Sequence, residues 1–254
     1  MRFKTIGIVG GVGPYAGLDL NRKILDQTLA GTDQDHLPVL LATYPGLIED
    51  RTRYLLQGDV ENPAEGLFKV IKLLSAGGAD VVGIPCNTAH AGPIFSPLLK
   101  MIREKTLPLK LLNMISEVAA AIASTVGNRA AVGVLSTMGT YKTGLYQEYL
   151  SGVAAKLVFP EPDLALDVHA AIYDPQFGIK AHSNPVLPQA RERIENAVRT
   201  LRERGAELVV LGCTELPLAL TYNTLNGLRF IDPATVLARA LIRETWPDKL
   251  KPLW

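Results

Sequence analysis

Short apolar runs alternate with longer amphipathic stretches along most of the chain. The runs have the length of buried strands, and the stretches repeat apolar residues at helical spacing. This alternation is typical of βα units around a parallel sheet and predicts an α/β fold, with helices flanking each parallel-rich sheet. The pattern predicts strands at 5–9, 39–43, 81–84, 110–113, 130–135, 156–159, 208–211 and 229–231, and helices at 15–29, 63–76, 115–124, 144–150, 188–204 and 234–244.

Two segments of the second half repeat segments of the first half. The sequence G-A-D-V-V-G-I-P-C-N-T at 78–88 matches G-A-E-L-V-V-L-G-C-T-E at 205–215. At almost the same offset, I-G-I-V-G-G-V-G-P-Y at 6–15 matches V-G-V-L-S-T-M-G-T-Y at 132–141. Chance is the alternative, because a glycine, an alanine and an acid before an apolar run are common where a helix leads into a strand. Agreement at several positions favours two copies of one α/β unit.

The repeat predicts two pseudo-symmetric domains with an active site in the cleft between them. The first domain is expected to span 1–113, with residues 227–254 returning to it, and the second to span 114–226. These boundaries rest on Asn113, which ends a predicted strand, and on the turn at 221–227 before the last strand.

A cysteine stands directly after a predicted buried strand in each copy, at Cys86 and Cys213. Ligands of open α/β sheets collect at the carboxyl ends of strands, so two facing halves would place both thiols across one cleft. A lone cysteine at a strand end is commonly a small buried hydrophobe, but packing does not explain one in both copies. Two thiols on opposite faces of a carbon would permit two-base proton transfer, in which a thiolate of depressed pKa removes the Cα proton.

Composition and charge narrow the class of protein. The chain has 254 residues, a formal net charge of +1 and 2 cysteines, so it lacks the basic excess of nucleic-acid proteins and a disulfide framework. The charged start, which runs into T-I-G-I-V-G, does not resemble a signal peptide. The longest uncharged run, 81–99, contains polar residues and prolines, which is unlike a transmembrane helix. We therefore expect a cytoplasmic protein that acts on a small molecule, without a nucleic-acid or membrane partner.

Metal binding is the first alternative for this site. Cys86 and His90 are four residues apart, a spacing that could place both on one helical face as metal ligands. The sequence offers no second cluster of Cys or His to complete such a site, so we expect no bound metal. His90 is instead expected to orient or polarise Cys86, or simply to pack.

Two other function classes stay open at this point. The G-x-G-x-x-A match at 11–16 follows a strand and precedes a helix, as a dinucleotide fingerprint requires. Pro14 interrupts it, however, and the second strand leads into Thr43 and Tyr44 where an acid should bind the ribose. A dinucleotide-binding oxidoreductase is therefore disfavoured. A non-catalytic amino-acid-binding protein is the other alternative. The retained pair of thiols disfavours it.

Three motifs together resemble the aspartate/glutamate racemase family: P-C-N-T-A-H at 85–90, G-C-T-E-L at 212–216 and G-G-V-G-P-Y-A at 10–16. The resemblance covers the whole chain and is strongest to aspartate racemases and broad-specificity amino-acid racemases. It implies two pseudo-symmetric domains with Cys86 and Cys213 as the acid/base residues. It also implies a reaction that uses neither pyridoxal phosphate nor metal, and a homodimer.

The resemblance also implies substrate contacts. Arg51, in E-D-R-T, matches an arginine of the family that reaches the distal carboxylate of the substrate. Lys180 matches a lysine with a similar role in binding the substrate. Glu49 stands where the family usually has proline, and a carboxylate there could neutralise Arg51 and weaken selection for acidic substrates. Residues next to the cysteines or in glycine-rich and threonine turns match further contacts with the substrate, namely Gly11, Asn87, Thr88, Thr137, Thr214 and Glu215.

The sequence thus predicts a cofactor-independent racemase that interconverts L- and D-aspartate, or glutamate, through a pair of cysteines. A broad-specificity or neutral amino-acid racemase of the same family is the alternative within this class.

Overall fold

Two parallel-rich sheets, one in each half of the chain, organise the structure. The computed structural model divides the chain into two units, Met1–Glu117 with Ala234–Trp254, and Val118–Pro233. Each unit has a hydrophobic core of its own. The residues whose structure is described are 4–126, 129–220, 222, 224–225 and 227–252.

The first unit is built on four strands, β1 (Thr5–Gly10), β2 (Val39–Thr43), β3 (Ala79–Gly83) and β4 (Lys110–Leu111). They form a sheet in the order β2-β1-β3-β4, in which every neighbouring pair is parallel. The helices that begin in this part of the chain are α1 (Pro14–Gln27), α2 (Arg51–Leu56), α3 (Pro63–Ala76), α4 (Gly92–Glu104) and α5 (Met114–Val126).

The second unit is built on five strands, β5 (Ala131–Ser136), β6 (Lys156–Val158), β7 (Leu208–Gly212), β8 (Thr224–Leu225) and β9 (Leu228–Ile231). Their order is β6-β5-β7-β9-β8, with β8 antiparallel to β9 and all other neighbours parallel. Its helices are α6 (Met138–Lys142), α7 (Leu145–Leu150), α8 (Pro162–Tyr173), α9 (Pro188–Glu203) and α10 (Leu216–Ala219), and α11 (Pro233–Thr245) follows.

The two sheets share one strand order apart from the additional β8. In each sheet the first strand of the unit lies between the second and third strands, and a fourth parallel strand pairs with the third. Thus β7 takes the place in its sheet that β3 takes in the other. The repeat in the sequence therefore reflects two copies of one topology.

Paired glycines explain part of the repeated sequence. Gly78 follows α3 and Gly205 follows α9, with φ of +90° and +92°. This left-handed conformation is costly for a residue with a Cβ atom and ends a helix before the next strand. The glycine–alanine–acid sequence is thus the same helix-to-strand junction in both units.

The contact-defined boundaries differ from the expected ones. They fall at residues 117 and 233 instead of 113 and 226. β9 pairs with β7, so its residues belong to the second sheet, and the chain joins the first unit again only with α11. There Leu237 and Leu241 pack so closely on Gly83 that an added Cβ would lie 3.1 Å from either.

Candidate active site

Each cysteine lies in the turn after a central strand of its own unit. Cys86 follows the end of β3 by three residues, and Cys213 directly follows β7. Both are free thiols with exposed fractions of 7% and 6%, and each packs into the core of its unit. The carboxyl ends of parallel strands are the usual ligand sites of α/β sheets, so each turn is suited to contact a ligand.

The Cys213 thiol contacts a buried carboxylate. Sγ of Cys213 lies 3.0 Å from Oε2 of Glu215, and the thiol donates a hydrogen bond to it. Oε1 of Glu215 lies 2.5 Å from Nζ of Lys180, a charge-assisted contact. The second unit therefore contains a continuous series of contacts from an ammonium through a carboxylate to a thiol.

This environment keeps Cys213 protonated. Burial, followed by the negative charge of Glu215, raises the pKa of the Cys213 thiol well above its ordinary value, and Lys180 opposes part of that rise. Cys213 is therefore a thiol at neutral pH. The depressed pKa expected from the sequence is wrong for this cysteine, because burial and the neighbouring carboxylate both disfavour the thiolate.

His90 fixes the main chain of the Cys86 turn. Its Nδ1 lies 2.8 Å from the carbonyl oxygen of Cys86, and because a carbonyl only accepts, Nδ1 carries the proton. Burial lowers the pKa of His90 to about 4, although the carbonyls of Cys86, Leu112 and Asn87 act in the opposite direction. The imidazole is thus neutral at pH 7. His90 orients Cys86 through the backbone and adds no charge to the site.

Glu215 does not cap the helix that follows it. It stands at the N-cap of α10, but its side chain makes no capping hydrogen bond. The carboxylate instead contacts Cys213 and Lys180, and the Thr214 hydroxyl lies 3.4 Å from Oε2. The Glu215 carboxylate is therefore directed to the thiol and the ammonium and not to the main chain of α10.

Lys180 is held in the loop after α8 by main-chain and side-chain contacts. Its N–H donates to the Ile172 carbonyl at 3.0 Å, and its Nζ lies 5.2 Å from the centroid of the Tyr173 ring. Its side chain is 24% exposed, against 5% for Glu215. The ammonium therefore lies between an aromatic face and a buried carboxylate, and it is the more accessible partner of the ion pair.

Arg51 is a buried cation at the start of α2. Asp50 caps this helix by accepting a hydrogen bond of 2.7 Å from the Arg53 N–H. Nη1 of Arg51 donates to the carbonyl oxygen of Glu49 at 3.1 Å, while the Glu49 side chain is exposed. This contact therefore involves the main chain of Glu49 and not its carboxylate. α2 packs against the turn Thr88–His90, so the Arg51 helix lies beside the Cys86 turn.

The other predicted substrate contacts are also buried. Thr137 caps α6, and its Oγ1 accepts a hydrogen bond of 3.3 Å from the Thr140 N–H. Gly11 approaches a neighbouring segment closely, since an added Cβ would lie 2.7 Å from the Pro45 nitrogen. The remaining predicted polar contacts lie beside the cysteines and are nearly inaccessible, namely Asn87, Thr88 and Thr214.

Two aromatic residues of the second unit were not expected near the site. The ring of Tyr146 packs on Gly212, where an added Cβ would lie 2.9 Å from Cε2. Burial raises the pKa of Tyr146 well above its ordinary value, and the negative charge of Asp232 adds to this effect, so the phenol stays protonated beside the thiol. Tyr173 supports Lys180 as described above. Tyr146 belongs to no motif, whereas Tyr173 lies in the segment I-Y-D-P-Q-F-G-I-K that points to Lys180, without having been assigned a contact of its own.

Candidate metal-ligand groups and membrane-spanning helices are absent from the described ranges, which are 4–126, 129–220, 222, 224–225 and 227–252. Within them, no three or more His, Cys, Asp or Glu side chains are grouped so that they could hold a metal ion. No helix in the same ranges combines the length and the apolar character needed to cross a bilayer.

Two solved structures share the fold of this chain over nearly all of its length. The aspartate racemase of Picrophilus torridus has a TM-score of 0.79 and 29% identity, over 98% of this chain and 96% of that one. An aspartate racemase homologue from Pyrococcus horikoshii has a TM-score of 0.68 at 23% identity, over 95% of this chain and 99% of that one. The second likeness concerns the fold alone.

Sequence comparison identifies the family. The glutamate racemase of Cupriavidus pinatubonensis is 28% identical over 175 residues, which are 67% of this chain and 58% of that protein. The chain thus spans less than two thirds of the length of this curated relative. A profile described as Asp/Glu/Hydantoin racemase matches residues 9–241. The chain therefore belongs to the Asp/Glu/Hydantoin racemase family.

Proposed function

We propose that this protein is an amino-acid racemase that interconverts L- and D-aspartate without a bound cofactor, with Cys86 and Cys213 as its acid/base pair. The observation that carries the proposal is that two topologically equivalent strands each lead into a buried free thiol. These are the 2 cysteines of the chain. Membership of the racemase family supports the same reaction type.

The proposed reaction moves one proton at each thiol. In one direction the Cys86 thiolate takes the Cα proton, so the Cα–H bond breaks and an S–H bond forms. The Cys213 thiol then gives its proton to the opposite face of the carbanion, and the configuration is inverted. The protonated state of Cys213 suits the donor role. The reverse direction exchanges the two roles.

The carbanion needs stabilisation, because a Cα–H bond beside a carboxylate is a weak acid. As the proton leaves, negative charge spreads into the α-carboxylate, and fixed donors there lower the barrier. Asn87, Thr88 and Thr214 adjoin the cysteines and supply amide and hydroxyl groups. All three are buried, where a hydrogen bond to a developing charge is stronger than in water.

Arg51 supports an acidic substrate. A buried guanidinium favours a carboxylate partner, which it can bind through two parallel hydrogen bonds. Aspartate is chosen because the similarity to an aspartate racemase extends over nearly the whole of that protein, 96% of its chain. The similarity to a glutamate racemase extends over 58% of that protein, so glutamate is the alternative substrate.

Incubation of the reduced protein with single enantiomers in deuterated water tests the proposal. We expect L-aspartate to give D-aspartate, with deuterium at Cα of the product and no requirement for added pyridoxal phosphate or metal. A panel including glutamate, alanine and serine, read by chiral chromatography, defines the substrate range. Absence of both inversion and exchange for every amino acid would overturn the proposal. We also expect a homodimer, which analytical ultracentrifugation would test.

A further inference from the structure

Large apolar side chains that remain exposed are divided unevenly between the two units. Nine such side chains lie among the described residues, eight of them in the first unit and one, Leu166, in the second. Four of the eight lie on α1 or just after it, at Tyr15, Leu18, Leu25 and Leu29. Single exposed apolar residues are common, whereas a cluster on one element marks a surface for interaction.

Tyr15, Leu18, Arg22 and Leu25 form an exposed line along α1, which we call the α1 stripe. Its members are three, four and three residues apart, the spacing of the seam along which two helices pack. This spacing reads the same from either end. A second copy of α1 that runs antiparallel therefore presents an identical stripe, with Tyr15 opposite Leu25 and Leu18 opposite Arg22. Such self-complementarity is what a contact across a two-fold axis requires.

The α1 stripe faces away from the rest of the first unit. An added Cβ at Gly17 would lie 3.3 Å from Cδ1 of Leu41, so that side of the helix packs on the sheet. Gln27, on a second side of the helix, accepts a hydrogen bond of 2.6 Å from Arg239 of α11. At about 3.6 residues per turn, the leucines of the stripe lie on the side opposite Gln27. The stripe thus faces outward past β2, the strand at the edge of the sheet.

The edge strand beside the stripe lacks the usual protection against pairing. The residues of β2, 39–43, include neither a charged residue nor a proline. β6, the corresponding edge strand of the second unit, has 3 residues and begins with the exposed Lys156. Shortness and lysine are two devices that keep an edge strand from pairing with another chain. The second unit therefore has a protected edge at this place, and the first unit does not.

The helices at the corresponding place in the second unit are polar on the outside. α6 and α7 follow β5 as α1 follows β1. The exposed residues of these two helices are Lys142, Gln147 and Glu148. The shared topology alone does not impose an apolar outer face, since the second unit folds without one at this place. The stripe on α1 therefore needs an explanation of its own.

We propose that the α1 stripe and the adjoining edge of β2 form the interface of a symmetric homodimer, in which α1 of one copy packs antiparallel against α1 of a second copy. The occupant of this surface is thus a second copy of the same chain, and the expected homodimer gains a defined interface. The dimer does not depend on the proposed reaction, because the oligomeric state is measured without a substrate. Racemisation can fail while the dimer stands, and the dimer can fail while racemisation stands.

Charge favours a second copy over a charged partner. α1 contains two acids and two bases, so its net charge is zero, namely Asp19, Arg22, Lys23 and Asp26. The guanidinium of Arg22, the one charge within the stripe, lies 2.9 Å from the Asp19 carboxylate. Two neutral helices meet without net repulsion, whereas a strongly charged partner such as a nucleic acid finds no excess of opposite charge.

Further apolar residues extend the surface toward the size that a stable dimer needs. Stable interfaces bury roughly 800 Å² on each partner, from about 20–30 residues, which is more than the stripe provides. Tyr44 directly follows β2, and Leu73 lies on α3, which packs on β2. Both side chains are exposed. The apolar surface therefore continues from α1 past the edge strand.

Sedimentation of the wild-type protein and of Leu18→Lys tests the interface. We expect wild type to sediment as a dimer. Leu18→Lys should raise the dissociation constant of the dimer by about a hundredfold or more, because two apolar contacts are lost per dimer and each new cation lies opposite Arg22. Leu166→Lys is the matched control, since Leu166 is 54% exposed against 56% for Leu18. It should change the dissociation constant by less than about twofold.

Leu18→Glu tests the antiparallel arrangement. It removes the same apolar contact as Leu18→Lys, but it places an acid opposite Arg22 of the second copy. We expect its dissociation constant to be at least about tenfold lower than that of Leu18→Lys. Circular dichroism checks that both variants fold. Equal dissociation constants for the two variants would overturn the antiparallel arrangement.

Cross-linking identifies the face without reference to affinity. In a Cys86→Ala/Cys213→Ala background, Leu18→Cys supplies a single thiol, and a bis-maleimide that spans about 10 Å, the distance between packed helix axes, should join two copies. Leu166→Cys in the same background should stay unjoined. A dimer that Leu18→Lys leaves intact, or that Leu18→Cys does not cross-link, would place the interface elsewhere and overturn the proposal. Wild-type protein that stays monomeric at every concentration would overturn it too and leave the stripe to a different partner.

Discussion

The two turns that hold the cysteines have the same place in the topology but different charges. The Cys86 turn follows β3 and is fixed by a neutral imidazole that donates to a main-chain carbonyl. The Cys213 turn follows β7 and places a carboxylate against the thiol, with an ammonium behind it. The repeated scaffold therefore determines where a thiol lies. In the second unit, burial and then the charge of Glu215, two positions after the cysteine, raise the pKa of the Cys213 thiol.

The largest effect on the rate of racemisation is expected when either thiol is removed. Cys86→Ala and Cys213→Ala should each reduce racemisation of aspartate by about 10³-fold or more, because each would remove one of the two proposed acid/base groups. Chiral chromatography measures the rate, and thermal unfolding checks that the variant folds. Unimpaired racemisation in either variant would show that the reaction does not need one thiol from each half.

Arg51 tests whether recognition of substrate charge depends on the first unit. Arg51→Ala should lower kcat/KM for aspartate by about a hundredfold, as expected when one partner of a buried charge pair is removed. The loss for alanine should be less than about tenfold, since alanine has no distal carboxylate. Arg51→Lys provides the control that keeps the charge. Equal losses for both amino acids would remove the assigned role of Arg51.

His90 should make stability depend on pH through the Cys86 turn. Its pKa is about 4 when folded against an ordinary value of 6.5, so the unfolded chain binds more protons between these values. The free energy of unfolding should therefore fall as pH drops from 6.5 to 4, by about 3 kcal/mol in total from this residue. His90→Asn, which keeps a donor but does not titrate, should flatten that part of the profile in urea unfolding. An unchanged slope would contradict the assigned neutral state.

Substitution of Gly78 or Gly205 is expected to have the smallest effect on stability. These two glycines are also the most closely matched positions of the two halves. Both have positive φ and no heavy atom within 4 Å of an added Cβ. Gly78→Ala and Gly205→Ala should each destabilise the protein by about 1 kcal/mol, because alanine is strained in this conformation without meeting a clash. Costs that differ by several kcal/mol would show that the two junctions are not equivalent.

Much of the scaffold could be predicted because it follows from local patterns. Buried strands are short apolar runs, and the paired glycines mark the junctions that precede β3 and β7. Helices α4 and α8 lay outside the predicted set, and α4 has Pro97 within it. A proline there cannot donate to the carbonyl four residues earlier, and that oxygen, on Pro93, accepts from Asn62 at 3.0 Å instead. This replacement of the missing hydrogen bond depends on a distant segment, so the local sequence does not indicate it.

The site was predicted in part for the same reason. The repeat singles out Cys86 and Cys213 as candidates, and the resemblance adds Glu215 beside Cys213. The contact from Glu215 to Lys180 joins residues far apart in sequence, and the Tyr146 ring fills the space left by Gly212. The raised pKa of Cys213 follows from this packing, which explains why the sequence led to the opposite expectation.

The central claim is that each half supplies one base to one face of the same Cα. The most direct test is the wash-out of Cα deuterium from separate L- and D-aspartate by Cys86→Ala and Cys213→Ala. We predict that each variant exchanges one enantiomer without inverting it, and that the two variants act on opposite enantiomers. Exchange of the same enantiomer by both variants, or of both enantiomers by either one, would contradict the claim.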